Sequence, residues 1–233
     1  MKHRLFLFDL DDTLLDFKAS EQLSFVRTMQ ALGLRDSMDD LFLQYQAINT
    51  ALWKRFEMGE VGKDFLKVER FRKTFLSKGI DADAEVASRL YLASLPETVV
   101  LVDGAEHVCA TLAGIGEVGI ITNGIESIQS RRIASAGLSQ HIAFVATSES
   151  SGYAKPDVRF FEYATKMARS FVKDETIIIG DRLDADILGA NRFGIESCWF
   201  NPGSLPNESA ALPTYEVANL HQILPSLREL AVA

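Results

Sequence analysis

The chain has 233 residues, of which 47% are hydrophobic and 24% are charged, and its formal net charge is −8. That length can bury one large core or two modest ones, and the acidic balance argues against binding a nucleic-acid polymer, which requires a basic face. No apolar run approaches the roughly 20 residues of a membrane span. We expect no membrane association and, because the first strand begins near residue 5, no signal peptide. Cys109 and Cys198 are too few for a disulfide framework, so we expect a cytoplasmic protein with two buried thiols.

The first element is a short apolar strand that ends in carboxylates. Residues 5–8 read Leu-Phe-Leu-Phe, which is typical of a central strand buried on both faces, and Asp9, Asp11 and Asp12 follow directly. Ligands of open α/β sheets bind at the carboxyl ends of the strands. Asp9 and Asp11 therefore either bind a metal ion or divide nucleophilic and acid/base work, unless they belong to a simple acidic turn.

The next eighty or so residues are helical. Apolar residues recur at helical spacing in four segments, and each segment ends at glycine or proline. The predicted helices comprise residues 23–32, a second helix that begins at Ser37 and ends before Gly59, residues 65–75, and residues 83–95. This block contains no convincing strand, and we interpret it as a small helical bundle.

From about residue 98 onward, strands alternate with helices. The predicted strands are residues 118–122, 143–146, 176–179 and 196–200. Three helices are predicted between them: one that ends at Gly137, one over residues 156–168 and one over residues 187–191. Such alternation predicts a parallel sheet with right-handed crossovers. The fold class is therefore α/β, a Rossmann-like parallel core of residues 1–15 and 97–233 with a helical domain of residues 16–96 inserted after the first strand.

Chemically useful side chains follow several of these strands. Thr122 ends the second strand, Lys155 precedes a proline in the next loop, and Asp181 and Asp186 follow the strand at 176–179. Each has an ordinary explanation by itself, such as a surface lysine or an N-capping aspartate. Because the carboxyl ends of parallel strands share one edge of the sheet, we expect all of them to gather near Asp9.

These residues resemble the four motifs of the haloacid dehalogenase (HAD) superfamily. The first motif, DxDxT, matches Asp9, Asp11 and Thr13, and the second, a Ser or Thr after the next strand, matches Thr122. The third motif is a Lys and matches Lys155. The fourth, GD followed by a further acid, matches Asp181 and Asp186. The helical insertion directly after the first motif resembles the C1-type cap of this superfamily. The resemblance spans the whole α/β domain in the correct order.

The resemblance implies a Mg²⁺-dependent phosphatase. Asp9 would be the nucleophile and a metal ligand, Asp181 a second ligand, and the backbone carbonyl of Asp11 a third. The Asp11 carboxyl would protonate the leaving oxygen and then activate water. The dehalogenases of the superfamily lack an acid at that position, so Asp11 favours phosphoryl transfer.

The other motif residues would bind the transferred group. Lys155 and Thr122, with the backbone N–H of Asn123, would hold the phosphoryl oxygens as their charge changes. Asp186 would lie behind them and orient Lys155 or a metal-bound water.

The helical insertion offers candidates for substrate recognition. Asn49 falls in the apolar arc between Tyr45 and Trp53, where it is either a hydrogen-bonded core residue or a group that contacts a base or sugar. Periodicity favours the core interpretation. Phe17 and Trp53 are candidates for stacking on a base, and Tyr45, Asn49 and Asn123 are further candidates for binding the substrate.

Segments of the insertion and core resemble bacterial pyrimidine 5′-nucleotidases of the superfamily. They are residues 45–49, Leu52-Trp53, Arg70-Phe71, residues 119–124 and residues 186–190. The expected function is hydrolysis of nucleoside 5′-monophosphates, with pyrimidine or non-canonical nucleotides favoured, through a phosphoaspartate. The partner is then a small-molecule phosphate ester, and the protein a monomer or homodimer. The alternatives are a phosphatase or mutase acting on a small sugar phosphate, and a non-catalytic binding module.

Overall fold

A six-stranded parallel sheet organises the α/β part of the chain. The computed structural model describes residues 2–35 and 38–229. The strands are β1 (Leu5–Phe8), β2 (Glu117–Thr122), β3 (Phe144–Thr147), β4 (Thr176–Gly180), β5 (Glu196–Phe200) and β6 (Tyr215–Val217), in the order β3-β2-β1-β4-β5-β6. The predicted α/β class with a Rossmann-like parallel sheet is confirmed. The sequence analysis missed β6 because a three-residue edge strand carries too little periodicity.

The register of the central strands places the strand ends beside one another. Phe8, the last residue of β1, pairs with Ile120 of β2 and with Ile179 of β4. Asp9 is therefore the first residue beyond β1, while Thr122 and Asp181 lie about two residues beyond the partners of Phe8. Because all three strands are parallel, these residues emerge at the same edge of the sheet.

Ten α-helices are described along the chain. They are α1 (Phe17–Ala31), α2 (Met38–Glu57), α3 (Lys63–Ser77), α4 (Ala84–Ser94), α5 (Ala105–Ala113), α6 (Glu126–Ser135), α7 (Ser148–Ser151), α8 (Val158–Met167), α9 (Leu188–Phe193) and α10 (Ile223–Glu229). A π-helical turn, Leu183–Ile187, precedes α9. The predicted start of the second helix at Ser37 lies outside the described residues.

Helices α8 and α9 cover one face of the sheet. Leu5 and Leu7 of β1 belong to a buried cluster with Phe160 and Phe161 of α8 and Phe193 at the end of α9. The rings of Phe161 and Phe193 stack with centroids 5.9 Å apart. This packing fixes β1 and β4 in the centre of the sheet, and with them the loops that carry the aspartates.

The chain divides into two compact units. One comprises Met1–Phe17 with Val100–Ala233, and the other comprises Lys18–Val99. The insertion thus begins two residues after the expected boundary at 16 and ends three residues after 96. Hydrogen bonds account for the difference: Asp16 N–H donates to the Val100 carbonyl, and Thr98 Oγ1 donates to the Ser20 carbonyl inside the helical unit.

The helical unit has its own aromatic core. Tyr45 of α2 is fully buried against Phe25 of α1, Phe71 of α3 and Tyr91 of α4, with ring centroids 4.8 to 5.8 Å away. Four helices that contribute rings to one centre form a bundle that packs without help from a sheet.

The remaining composition-based expectations concern the cysteines and the membrane. In the described part of the chain both thiols, of Cys109 and Cys198, are free and buried, as predicted. Burial raises the pKa of both thiols to about 12, so they are unreactive at neutral pH. Among the described helices, none has both the length and the apolar character that crossing a membrane requires.

Candidate active site

Asp9 lies at the centre of the candidate site. Its N–H donates to the Ile179 carbonyl at 2.9 Å, which continues the β1–β4 pairing by one residue and fixes the backbone. The carboxylate is almost buried, at 6% exposure. Its Oδ1 accepts from Lys155 Nζ at 2.6 Å, and its Oδ2 is 3.4 Å from Thr13 Oγ1. One oxygen is therefore ion-paired, while the other has only a weak partner and is available for chemistry.

Lys155 is a buried cation that reaches the site from the loop before α8. Its side chain is 3% exposed, and Nζ donates to Asp9 Oδ1 and Asp186 Oδ1 at 2.6 Å each and to the Ile121 carbonyl at 2.9 Å. Burial by itself lowers the pKa of an ammonium, but Asp186 and Asp9 together raise the pKa of Lys155 above its ordinary value. The lysine therefore stays charged at every physiological pH.

Three carboxylates converge beside this lysine. Oxygens of Asp9, Asp181 and Asp186 all lie within 4.8 Å of one another. Asp186 is fully buried and already committed, because its Oδ1 accepts from Lys155 and its Oδ2 accepts from the backbone N–H of Arg182 at 3.1 Å. A side chain at Gly180 would overlap the Asp186 carboxylate, so the glycine of this motif is needed for close approach.

The cluster carries more negative charge than its lysine can balance. The pKa of Asp9 is raised to about 7. Burial is the main cause; the charge of Lys155 opposes it, and the charges of Asp186 and Asp11 add to it. Burial, followed by the charges of Asp9 and Asp186, raises the pKa of Asp181 to about 8. A bound cation would favour the ionised forms of both aspartates, so this cluster is a candidate cation site.

The raised pKa of Asp181 predicts how stability depends on pH in the metal-free protein. Its folded-state pKa of about 8 exceeds the ordinary value of 3.8, so its stabilising contribution is complete below about pH 3.8 and is lost as the pH rises through 8. In the presence of a chelator, we expect the free energy of unfolding of wild type to fall relative to that of Asp181→Asn between pH 5 and 9. Denaturant titrations across this range measure the difference. Parallel curves for the two proteins would contradict the prediction, and Asp103→Asn, whose side chain is 97% exposed, is the control that should parallel wild type.

The Asp11 carboxylate is bound by two side chains of helix α6. Its Oδ1 accepts from Arg132 Nη1 and its Oδ2 accepts from Gln129 Nε2 at 2.7 Å, both on α6. The side chain keeps 30% of its surface exposed. The Asp11 carboxylate therefore lies outside the group formed by Asp9, Asp181 and Asp186.

Thr122 and Asn123 shape the neighbouring loop. Thr122 Oγ1 accepts from the Gly124 N–H and from Gln129 Nε2, each at 3.0 Å. The Asn123 side chain clamps the backbone of Lys155: its Oδ1 accepts from the Lys155 N–H at 2.8 Å and its Nδ2 donates to the Lys155 carbonyl at 3.2 Å. Asn123 thus aims the lysine, a role that the sequence analysis did not assign to its side chain.

Comparison with known families agrees with this geometry. A model of the haloacid dehalogenase-like hydrolases matches residues 3–194, which include every motif residue described above. The chain belongs to the haloacid dehalogenase-like hydrolases. The predicted membership of this superfamily, and the expectation that the chain is an enzyme, are confirmed.

Three relatives of this hydrolase cover nearly its whole length. Pyrimidine 5′-nucleotidase PynA of Streptococcus pneumoniae is 35% identical over 97% of this chain and 96% of its own, and pyrimidine 5′-nucleotidase YjjG of Escherichia coli is 27% identical over 96% and 97%. The crystal structure of the HAD-hydrolase YfnB of Bacillus subtilis, bound to magnesium, matches with a TM-score of 0.90 and 32% identity over 97% of this chain and 99% of that one. The predicted resemblance to pyrimidine 5′-nucleotidases is confirmed.

Of the five substrate-binding candidates, Asn123 is described above, and the other four lie in different surroundings. Tyr45 is fully enclosed by aromatic rings, and Asn49 is 4% exposed, with Nδ2 donating to Glu21 Oε1 at 2.8 Å and Oδ1 accepting from Arg70 Nη1 at 3.2 Å. Both arrangements favour the packing interpretation. Trp53 is half-buried and meets Phe56 edge-on at 5.7 Å. Phe17 is half-buried with its ring 5.2 Å from the Arg132 guanidinium.

Sequence reasoning missed Gln129 and Arg132 of this hydrolase. Their residue types give no indication of burial, since glutamine and arginine are usually exposed. The available signal was their spacing: positions three apart lie on one helix face, and that face also carries the apolar Ile125 and Ile133. Two polar residues on an apolar face predict a buried polar contact.

Proposed function

We propose that this hydrolase is a Mg²⁺-dependent phosphatase that acts on nucleoside 5′-monophosphates through a phosphoaspartate on Asp9, with pyrimidine or non-canonical nucleotides favoured. The observation that carries the proposal is the placement of Asp9, whose Oδ1 is ion-paired to the buried Lys155 and whose Oδ2 has only the weak contact with Thr13, in a cluster with Asp181. The names of PynA and YjjG support the nucleotide substrate. A small sugar phosphate remains the alternative substrate.

The donor set fits a magnesium ion. Mg²⁺ prefers hard oxygen ligands and usually takes one or two carboxylates with waters and substrate phosphate. Asp181 and Asp9 provide such carboxylates within 4.8 Å, and burial, together with the charges of neighbouring carboxylates, raises the pKa of both. When bound, the ion would neutralise the phosphate dianion and so permit attack by an anionic nucleophile. The Asp11 backbone carbonyl is the third proposed ligand.

The proposed reaction has two displacement steps. In the first, an Asp9 oxygen bonds to phosphorus, the bond to the leaving oxygen breaks, and that oxygen takes the proton of the Asp11 carboxyl. In the second, the Asp11 carboxylate removes a proton from water as the water oxygen bonds to phosphorus and the electron pair of the Asp9–phosphorus bond returns to Asp9. Lys155 and Thr122, with the Asn123 N–H, hold the phosphoryl oxygens throughout.

Metal dependence gives the first test. EDTA should abolish phosphate release from nucleoside 5′-monophosphates, and added Mg²⁺ should restore it. Calorimetric titration of Mg²⁺ into metal-free protein should show binding that Asp181→Asn weakens by about tenfold or more, because one carboxylate ligand is lost. Asp103→Asn is the matched control. A turnover rate indifferent to EDTA, with no Mg²⁺ binding, would remove the metal from the proposal.

A substrate screen tests the rest. Release of free phosphate from pyrimidine nucleotides above that from sugar phosphates is the expected result. Faster turnover of sugar phosphates would favour the alternative substrate, interconversion of a sugar phosphate without free phosphate would identify a mutase, and ligand binding without any turnover would identify a binding module.

Composition and cysteine burial support a proposal for the cellular setting. We propose a cytoplasmic enzyme whose partner is a small phosphate ester and not a nucleic-acid polymer, since the net charge is −8 and both cysteines are free and buried. We predict a monomer or a homodimer, and the molar mass measured by light scattering distinguishes the two.

A further inference from the structure

Two side chains of α6 donate hydrogen bonds to Asp11, the proposed general acid and base. Gln129 and Arg132 are three residues apart and so share a helix face. Arg132 Nη1 donates to Asp11 Oδ1, and Gln129 Nε2 donates to Asp11 Oδ2 at 2.7 Å. Arg132 Nη1 also donates to Gln129 Oε1 at 2.8 Å, which links the two donors. Both oxygens of the Asp11 carboxylate are therefore fixed by one rigid element.

The donors are buried while the acceptor stays accessible. Gln129 is 2% and Arg132 is 1% exposed, whereas the Asp11 side chain is 30% exposed. A carboxylate offers about four lone-pair directions, and these donors use two, so each oxygen keeps one for a transferred proton. The arrangement restrains the orientation of Asp11 without closing it off.

Gln129 and Arg132 also contact residues outside α6 other than Asp11. A Cβ at Gly124 would overlap the Gln129 side chain, and Gln129 Nε2 also donates to Thr122 Oγ1 at 3.0 Å. The Phe17 ring lies 5.2 Å from the Arg132 guanidinium. Gln129 thus connects a phosphoryl-binding hydroxyl to the acid/base.

The burial of Arg132 is unfavourable for stability. Its Nε and Nη2 are buried and have no hydrogen-bond partner among the described residues. Leaving donors of a buried charge unsatisfied costs stability, so simple packing does not account for an arginine at this position. Its remaining interactions are those with Asp11, Gln129 and the Phe17 ring.

We propose that Gln129 and Arg132 are positioning residues that orient the Asp11 carboxyl for proton transfer to the leaving oxygen and from water. The inference rests on the proposed phosphatase reaction. Arg132 acts through Asp11 and transfers no proton itself. Its loss should therefore matter most where the leaving group needs a proton.

Leaving-group dependence distinguishes positioning from other roles. A nucleoside 5′-monophosphate expels an alkoxide, which needs the Asp11 proton, whereas p-nitrophenyl phosphate expels a stable phenolate. General acid–base catalysis contributes roughly 10²–10⁴-fold, and misplacing the acid forfeits part of that. For Arg132→Met we expect kcat/KM to fall about 10- to 100-fold with the nucleotide and to stay within about threefold with p-nitrophenyl phosphate.

A second readout follows from the water step. Asp11 also activates water, so Arg132→Met should hydrolyse the phosphoaspartate slowly. A burst of p-nitrophenol before the steady state should appear in the variant and be smaller or absent in wild type. Adding Arg132→Met to Asp11→Asn should change kcat/KM for the nucleotide by less than about threefold, because the group being positioned is already gone.

Neighbouring variants provide the controls. Arg131→Met alters the exposed arginine next to it on α6 and should behave as wild type. Arg132→Lys keeps one donor and should recover part of the nucleotide activity; it also carries the comparison if Arg132→Met fails to fold. Equal loss of kcat/KM for both substrates would overturn the inference and assign Arg132 to phosphate binding or stability, and an unchanged kcat/KM for the nucleotide would also overturn it. Absence of turnover in wild type would instead reject the proposed function.

Discussion

Replacing Asp9 by Asn should lower phosphate release by about 10⁴-fold or more while the protein remains folded, because Asp9 is the proposed nucleophile. The amide has the size of the carboxyl group but cannot attack phosphorus. Lys155 keeps Asp186 and the Ile121 carbonyl as partners, so the local hydrogen bonds survive. Steady-state phosphate release measures the first effect, and circular dichroism with thermal unfolding measures the second.

The same substitution has an informative effect on stability. Burial raises the pKa of Asp9 to about 7, so its ionised form is disfavoured in the metal-free fold. We expect metal-free Asp9→Asn to be at least as stable as wild type at pH 8. Asp103→Asn removes an exposed carboxylate of the same unit and should leave turnover unchanged. Retention of more than about a tenth of wild-type turnover by Asp9→Asn would show that Asp9 is not the nucleophile.

We expect the replacement of Lys155 by Met to lower both turnover and stability. The substitution leaves two buried carboxylates, of Asp9 and Asp186, without their shared cation. Breaking a buried ion pair by removing one partner costs about 3–5 kcal/mol. The loss of a fixed positive charge at the phosphoryl group should lower kcat by about 10²–10³-fold in the protein that still folds. Denaturant unfolding at pH 8 and phosphate release measure the two losses.

A double variant separates these two consequences. Lys155→Met with Asp186→Asn removes the uncompensated charge of the fully buried Asp186 and should regain much of the lost stability. Turnover should remain as low as in Lys155→Met, because the cation is still missing. If turnover recovered together with stability, Lys155 would be a structural residue only. Lys166→Met, on α8, is the matched control at a mostly exposed lysine.

The sequence was most informative where residues follow parallel strands. Buried apolar runs identified β1, β2 and β4, and the residues directly after them reach one edge of the sheet because the register aligns Phe8 with Ile120 and Ile179. The sequence therefore predicted that Asp9, Thr122 and Asp181 share one edge of the sheet, and the register shows how closely their positions align. Cross-strand hydrogen bonding determines such positions to within a residue.

Helical side chains were harder to interpret. Asn49 has the same spacing whether it faces a ligand or an internal partner, and only the positions of Glu21 and Arg70 on two other helices resolve its contacts. Gln129 and Arg132 look like surface residues of α6 until the Asp11 carboxylate is placed beside them.

The amino-acid sequence by itself determined the α/β class, the inserted helical unit and the reagents at the strand ends, because hydrophobic period and strand polarity are local properties of the chain. Only the tertiary structure decided which polar side chains touch: that Lys155 binds Asp9 and Asp186 at once, that Asn123 clamps its backbone, and that α6 restrains Asp11. These contacts join residues up to 146 positions apart, and their geometry depends on the packing of every element between them.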